Sequence, residues 1–453
     1  MKPTYRISLA LALSTLGAGC GEEATENGGR VATLPCYPAD PAVADGDPSA
    51  LYAASDVPRF DFRLRDDVWA ALQANALDEE YVEAEACFRE SGLGPVGLRF
   101  KGGYGTLELC FEEPQPFPCP KLSMKVRFDE YVDGKRFYRQ KRLNFHAMIH
   151  DRTKLHERLG YGLYRDMGVV APRSAWATLH VNGEPLGLFA MVEDVDGRFT
   201  ENELSEDPDG SLYEAAWPVS VDPEYYAEKI TTNEEEATHD RFIAFAEDLA
   251  SAEGAERLAA LSRWMDVHEL QRYMAVDDAI LNWDGVTTFY VGADGSAANH
   301  NYFVYEGPSS GKFRVVPWDL DNTLSVGGSR FFGTVPHWTE TPATCDEDVP
   351  VQDGKARVRA PGCDVLFSAL SQDLEGYRSA VRDLLDGPFR EGRLEEQVDR
   401  YAELIRSSVA QDEHGPSLLT WKEDVAILRS ELSELRSRMV RLLDGTAGTE
   451  RGD

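Results

Sequence analysis

Three short segments carry residue types suited to phosphates and metal ions. They are Asn282-Trp283-Asp284-Gly285, Asn299-His300-Asn301-Tyr302 and Val315-Val316-Pro317-Trp318-Asp319-Leu320-Asp321-Asn322-Thr323, all between positions 282 and 323. A helix, then an aspartate, then an asparagine, then a strand ending in a second aspartate is a chain order that phosphoryl transfer uses. One carboxylate orients an acceptor hydroxyl. An amide oxygen and a second carboxylate hold Mg²⁺ against the phosphates, because hard cations take oxygen ligands. Asp319 and Asp321 alternate after an apolar strand. Carboxylates so placed repel each other, and a cation between them relieves the repulsion.

Such residues need rigid elements to aim them. Val267, Leu270, Met274 and Leu281 share one face of a helix predicted to end near Asn282. Strands are expected around Tyr302–Tyr305 and Phe313–Val316. Upstream, Val96 to Phe100 reads as a strand entering the Gly102-Gly103 turn. Leu122 to Phe128 alternates apolar and polar residues, as a half-buried strand does. The spacing of Leu155, Leu159, Leu163 and Met167 predicts a helix from Asp151, its N-cap, to Met167, with Gly168 ending it. Trp176–Val181 and Gly187–Val192 flank Asn182-Gly183, a hairpin signal. Val425, Leu428, Leu432, Leu435, Met439 and Leu442 recur three and four apart. They mark a core-facing terminal helix rather than a coiled-coil seam. The fold class is α+β, with a strand-rich first half and a mainly helical second half.

The chain has 453 residues, 42% hydrophobic and 28% charged, with net charge −33. Nucleic-acid binders carry basic faces, so that class is excluded. Lys2 and Arg6, the apolar run Ile7–Leu16 and Gly17-Ala18-Gly19-Cys20 read as an export signal over 1–19. Cys20 sits where a bacterial lipobox places its lipidated thiol. Each buried CH₂ of an acyl chain adds about 0.8 kcal/mol of membrane affinity. Residues 20–55, rich in Gly, Ala, Pro, Asp and Glu, read as a flexible tether, and 446–453 as a disordered tail. The expected site is the cell envelope, at the outer membrane or cell surface. Six cysteines remain, an even number that reads as disulfides in an exported chain. Cys110–Cys119 and Cys345–Cys363 each enclose a short loop containing proline, which leaves Cys36 with Cys87. A zinc site is the rival reading, although no Cys-x-x-Cys pair exists. The terminal Arg451-Gly452-Asp453 matches an adhesion tripeptide by letters alone.

Several motifs occur together in one order. They are Arg152-Thr153-Lys154-Leu155-His156-Glu157-Arg158-Leu159, Gly168-Val169-Val170-Ala171-Pro172-Arg173, Val181-Asn182-Gly183-Glu184-Pro185-Leu186-Gly187-Leu188 with Glu193, and later Asn301-Tyr302 and Pro317-Trp318-Asp319-Leu320-Asp321. From Val57 to Gly328 this pattern resembles the CotH kinase family, the spore coat protein H type. The resemblance implies an atypical, two-lobed protein-kinase-like domain over 56–445, with an N-terminal lobe near 56–195 and a C-terminal lobe near 196–445. It further implies ATP with Mg²⁺ or Mn²⁺ as cofactors, Ca²⁺ being the alternative ion. Transfer would be to Ser/Thr of a secreted or envelope protein.

Carried over residue by residue, it makes Asp284 the catalytic aspartate. Asn301 and Asp319 become metal ligands, with Asp321 as an alternative or second one. Lys125 would pair the ATP phosphates, with Arg99 and Lys101 as rivals, and Glu157 would pair with Lys125. Met191 to Val195, including Glu193, would be a hinge offering backbone groups to adenine. Ordinary kinases differ: His-Arg-Asp and Asp-Phe-Gly are missing here, and Val286–Ala298 lengthens the path from Asp284 to Asn301. Two other functions fit parts of the chain. Asp319-Leu320-Asp321-Asn322-Thr323-Leu324 also matches the nucleophile motif of haloacid-dehalogenase-like phosphatases, which normally opens a parallel α/β domain. A non-catalytic surface or coat assembly scaffold on a kinase-like fold is the non-enzyme reading.

Overall fold

The computed structural model describes residues 36–37, 41–53, 55–103, 107–112, 119–326 and 335–444. Helices α1 (Pro41–Asp45) and α2 (Pro48–Tyr52) precede β1 (Arg59–Arg63), α3 (Asp66–Ala74), β2 (Val82–Phe88), β3 (Ser91–Phe100), β4 (Met124–Arg127) and β5 (Arg142–His146). Then come α4 (His156–Asp166), β6 (Ser174–Val181) and β7 (Glu184–Glu193). These strands close into a barrel ordered β1-β2-β3-β4-β5-β7-β6. Its seam is the parallel pair β1 and β6; the other neighbours are antiparallel.

The register decides which side chains share a face. Phe100, Met124, Phe145 and Met191 stand in line across β3, β4, β5 and β7 and are buried in the barrel core. Their neighbours Arg99, Lys125, Asn144 and Val192 form the next line. Strand residues alternate faces, so this second line belongs to the barrel's outer side. His146, two residues beyond Asn144, falls on that side too. The Asn182-Gly183 turn joins β6 to β7 with both residues at positive φ, 52° and 90°, the backbone that tight hairpins need.

Past the barrel, α5 (Gly197–Glu203) leads to β8 (Ser211–Glu214), α6 (Pro223–Ala227), α7 (Asp240–Ser251), α8 (Glu256–Trp264) and α9 (Val267–Ala279). Strands β9 (Phe289–Val291), β10 (Ala297–Ala298), β11 (Tyr302–Glu306) and β12 (Phe313–Pro317) follow. A three-stranded sheet runs β12-β11-β8, antiparallel throughout. The terminal helix Leu418–Leu443 buries Trp421, Val425, Leu428, Leu432, Leu435 and Met439 in the same core as α4 and α9. It faces a core, as its spacing predicts.

Lys121 ties the barrel to the far end of the chain. Its Nζ lies 2.7 Å from Asp412 Oδ2, and the same carboxylate accepts from the Leu188 N–H at 3.0 Å. Gly187, at φ +105°, permits the approach: a Cβ there would sit 2.2 Å from Asp412 Oδ1.

Three features depart from or extend the sequence reading. Helix α4 begins at His156, not Asp151. Residues 151–155 form a turn with Lys154 at φ +65°, and Asp151 still accepts the His156 N–H at 2.8 Å. Within the tether expected over 20–55, described residues are held against the barrel: Cys36 bonds Cys87, and buried Tyr52 donates to Gln140 at 2.8 Å. The disulfides are Cys36–Cys87, Cys110–Cys119 and Cys345–Cys363, the pairs expected from loop length. The signal 1–19, Cys20 and the tail 446–453 lie outside the described residues. Among those described, no helix is long and apolar enough to cross a membrane.

Candidate active site

Three structures meet on one side of the barrel: its outer β3-β4-β5 face, helix α4, and the loops around β11 and β12. The barrel contributes a cationic face because Lys101, Lys125 and Arg142 alternate with buried apolar residues, and the His146 imidazole lies on the same face. Lys101 lies just past β3, its N–H donating to Ser123 O at 3.0 Å. Helix α4 brings Glu157 and Tyr161. Gly160 lets α4 press on the loop after β12; a Cβ there would lie 2.9 Å from Leu320 Cδ1. Tyr161 Oη accepts from the Asp319 N–H at 3.0 Å, fixing a residue at φ +52°. Asn301, at φ +62°, enters β11 from the same kind of backbone. Such strain in non-glycine residues persists only where surroundings enforce it.

The first cluster is a relay. Lys101 Nζ stands 3.1 Å from His146 Nε2, and His146 Nδ1 is 2.7 Å from Glu157 Oε1. An ammonium has only donors, so Nε2 accepts and Nδ1–H donates to Glu157. Glu157 is 2% exposed, and its Oε2 is buried with no hydrogen-bond partner. Burial pushes the Glu157 carboxyl up to about 8, against the pull of Lys101. Burial and the Lys101 charge push His146 down to about 3. Lys101 also lies 5.1 Å from the Trp318 ring centroid. Ligand atoms of His146, Glu157 and Asp319 lie within 4.8 Å of one another.

The second cluster surrounds Asp194. Lys125 Nζ reaches its Oδ1 at 2.6 Å, Asn144 Nδ2 the same oxygen at 2.8 Å, and Arg142 Nε its Oδ2 at 2.7 Å. Burial opposes the charge, yet Lys125 and Arg142 hold this carboxyl well below the usual range.

The third cluster surrounds Asp284. Tyr290 donates to Oδ1 at 2.7 Å, and His300 Nε2 is 3.1 Å from it. Oδ2 accepts from Asn301 Nδ2 and Asn322 Nδ2, each at 3.2 Å. Burial works against protonating His300, but Asp284 raises its pKa overall. Burial raises Asp319, with Glu157 and Asp284 adding repulsion against His146 and Lys101. Asp321 is raised further by burial and by Asp319. Its backbone carbonyl accepts from His156 Nδ1 at 2.9 Å. It lines a cavity of about 210 Å³ with His156, Asn322 and Asp424 of the terminal helix.

The structure thus gathers Asp284, Asn301, Asp319, Glu157 and Lys101, while other expected residues are placed elsewhere. Glu157 pairs with His146 and not with Lys125, because Lys125 is held by Asp194. Arg99 turns to Glu79, at 2.8 Å, and lies over Tyr81. The Glu193 carboxylate is held by Arg173, whose Nε is 2.9 Å from Oε2. Strand β7 pairs on both sides, with β5 and β6, so through Glu193 it is a central strand and its ladder groups are engaged. Asp319 follows an antiparallel strand, not the first strand of a parallel sheet, which removes the phosphatase reading. His146, Tyr290 and Asn322 received no role from sequence, and Asp194 only a backbone one, within the expected hinge. Asn144-Phe145-His146 shows the alternation that could have flagged His146.

The model of the family described as CotH kinase protein matches residues 98–439, more than half of the chain. Inner spore coat protein H of Bacillus subtilis (strain 168) is 23% identical over 206 residues, covering 43% of this chain and 52% of that protein. The chain therefore matches about half the length of that relative. Two solved structures are similar at low level. One is the Helicobacter pylori proinflammatory kinase CtkA, with 9% identity, 74% of this chain and 94% of that one covered, and TM-score 0.31. The other is the Shewanella oneidensis MR-1 toxin–antitoxin complex of HipA, HipB and operator DNA, with 12% identity, coverage of 85% and 82%, and TM-score 0.32. Those two likenesses are too loose to assign any residue. The match over 98–439 shows the family: the chain belongs to the CotH kinase family, with a kinase-like domain.

Proposed function

We propose that this chain is an ATP-dependent protein kinase in which the barrel and the helical half are the two lobes. The observation that carries it is the convergence around Asp284. Its Oδ2 takes the Asn301 and Asn322 amides at 3.2 Å, and its charge is felt at Asp319.

Asp284 would accept the proton of a Ser/Thr hydroxyl as that oxygen bonds the γ-phosphorus. The bond to the bridging oxygen breaks, and ADP leaves with its electron pair. Tyr290 and His300 hold the carboxylate in orientation. The donor set fits a hard cation: Asn301 spends its amide nitrogen on Asp284, so its Oδ1 and the Asp319 carboxylate would be the oxygen ligands. Bound there, Mg²⁺ would neutralise phosphate charge. Lys101, not Lys125, is the lysine suited to the phosphates, since Lys125 is neutralised by Asp194.

The test is phosphoryl transfer from γ-labelled ATP, in autophosphorylation and on mixed envelope proteins. Asp284→Asn should slow transfer by about 10²–10⁴-fold. Undiminished transfer in that variant sinks the assignment. No nucleotide binding and no transfer by the parent protein would leave the assembly-scaffold reading. We further propose export and anchoring through a lipid on Cys20, at the outer membrane or cell surface. The signal-like 1–19 segment and three disulfides support this. Labelled palmitate should enter the parent chain and not Cys20→Ser.

A further inference from the structure

We propose that His146, Glu157 and Asp319 form a binding site for a borderline divalent transition-metal ion of the Zn²⁺ class, which the Lys101 ammonium opposes. It deepens the kinase reading through the shared Asp319, but the binding itself needs no nucleotide.

Three separate elements deliver the ligands: β5, α4 and the loop after β12. One ring nitrogen and one oxygen of each carboxylate already lie within 4.8 Å of one another. Ligands on a tetrahedral ion at 2.0–2.2 Å stand about 3.3 Å apart, within reach of a rotamer adjustment. The second observation is independent of that geometry. Glu157 Oε2 is buried and has no hydrogen-bond partner, although an uncompensated buried carboxylate oxygen is costly. A cation at this point would satisfy it.

The imidazole meets Glu157 through Nδ1, 2.7 Å from Glu157 Oε1, so an ion shared with that carboxylate would take Nδ1 and leave the ring proton on Nε2. Nε2 faces a cation, Lys101 Nζ at 3.1 Å. A ring bound through Nδ1 points its proton at that ammonium, so Lys101 opposes the ion. The nitrogen ligand also sets the selectivity. Mg²⁺ and Ca²⁺ take oxygen, whereas imidazole suits zinc and its first-row neighbours.

Calorimetric titration of the chelator-stripped full chain with ZnCl₂ and MgCl₂, without nucleotide, tests this. We expect one Zn²⁺ per chain and no comparable Mg²⁺ binding. His146→Ala should weaken it by about 10–100-fold. Lys101→Met should bind the ion as tightly or more tightly, because a competing charge is gone. A misfolded protein would not show that gain, so this variant decides the matter if His146→Ala does not fold. An anomalous-scattering peak among the three residues is the structural readout. The proposal is overturned if the parent chain does not bind Zn²⁺, if Mg²⁺ binds equally, if His146→Ala binds unchanged, or if Lys101→Met abolishes binding. ATP binding, titrated separately with Mg²⁺, reports on the kinase reading; its loss alongside intact Zn²⁺ binding would break that reading alone.

Discussion

Two lysines on one barrel face have opposite fates. Lys125 meets Asp194, whose two oxygens are both taken by cations. The polar atom left over there is a neutral amide oxygen of Asn144. Lys101 meets a neutral imidazole, and behind it the leftover is a buried carboxylate oxygen. A network closed on itself stabilises the fold and offers nothing to a ligand. One left short of positive charge is built for a visitor. The family resemblance puts Lys125 first for the phosphates; its ion pair with Asp194 weighs against that role.

The sharpest way to break this comparison is to remove each lysine in turn. Lys101→Met should cut phosphoryl transfer by about 10²–10³-fold, the cost of losing one preorganised donor to a developing charge. Its thermal midpoint should stay near the parent's. Lys125→Met should do the reverse in kind. It strands half of a buried ion pair, which costs about 3 kcal/mol in denaturant unfolding, with Arg142 still in place. If Lys125→Met halts transfer without loss of stability, the two roles are exchanged.

A smaller effect is expected where α4 touches the Asp319 loop. Gly160→Ala puts a methyl group against Leu320 and should cost about 1–3 kcal/mol. Transfer should fall more than nucleotide binding, because Asp319 is displaced while the barrel is not. Steady-state kinetics beside an ATP titration would show the split.

The smallest effect concerns a third kind of network, closed by neutral donors. Asp277 accepts from Tyr164 at 2.7 Å and Asn282 at 2.8 Å, and burial pushes its carboxyl up to about 7. The folded state then holds a proton that the unfolded state has released above about 4. Stability from this group is present below that pH and is lost as pH rises to about 7. Asp277→Asn should flatten that decline in midpoint-versus-pH curves. A decline of unchanged slope would remove Asp277 as its source.

The sequence showed what local pattern can show. Alternation at Met124-Lys125-Val126 and Leu143-Asn144-Phe145 marks strands and their polar faces. The order Asp284, Asn301, Asp319 survives into one site because each residue sits at the end of an element, where spacing is readable. Cross-strand register is not readable in this way. Whether Lys125 meets Glu157 or Asp194 depends on how β4, β5 and β7 align, and nothing local to Lys125 encodes that. His146 stayed hidden for the same reason: its partners lie 45 and 11 residues away on either side.

The Lys121–Asp412 contact has a consequence in time rather than in space. The partners are 291 residues apart, and a chain is made from its N-terminus. Through most of synthesis the Lys121 ammonium lacks its counter-charge. The barrel can take shape early, but it gains its full stability only when the end of the chain arrives. Chains cut short before residue 412 should therefore be the first that quality-control proteases find.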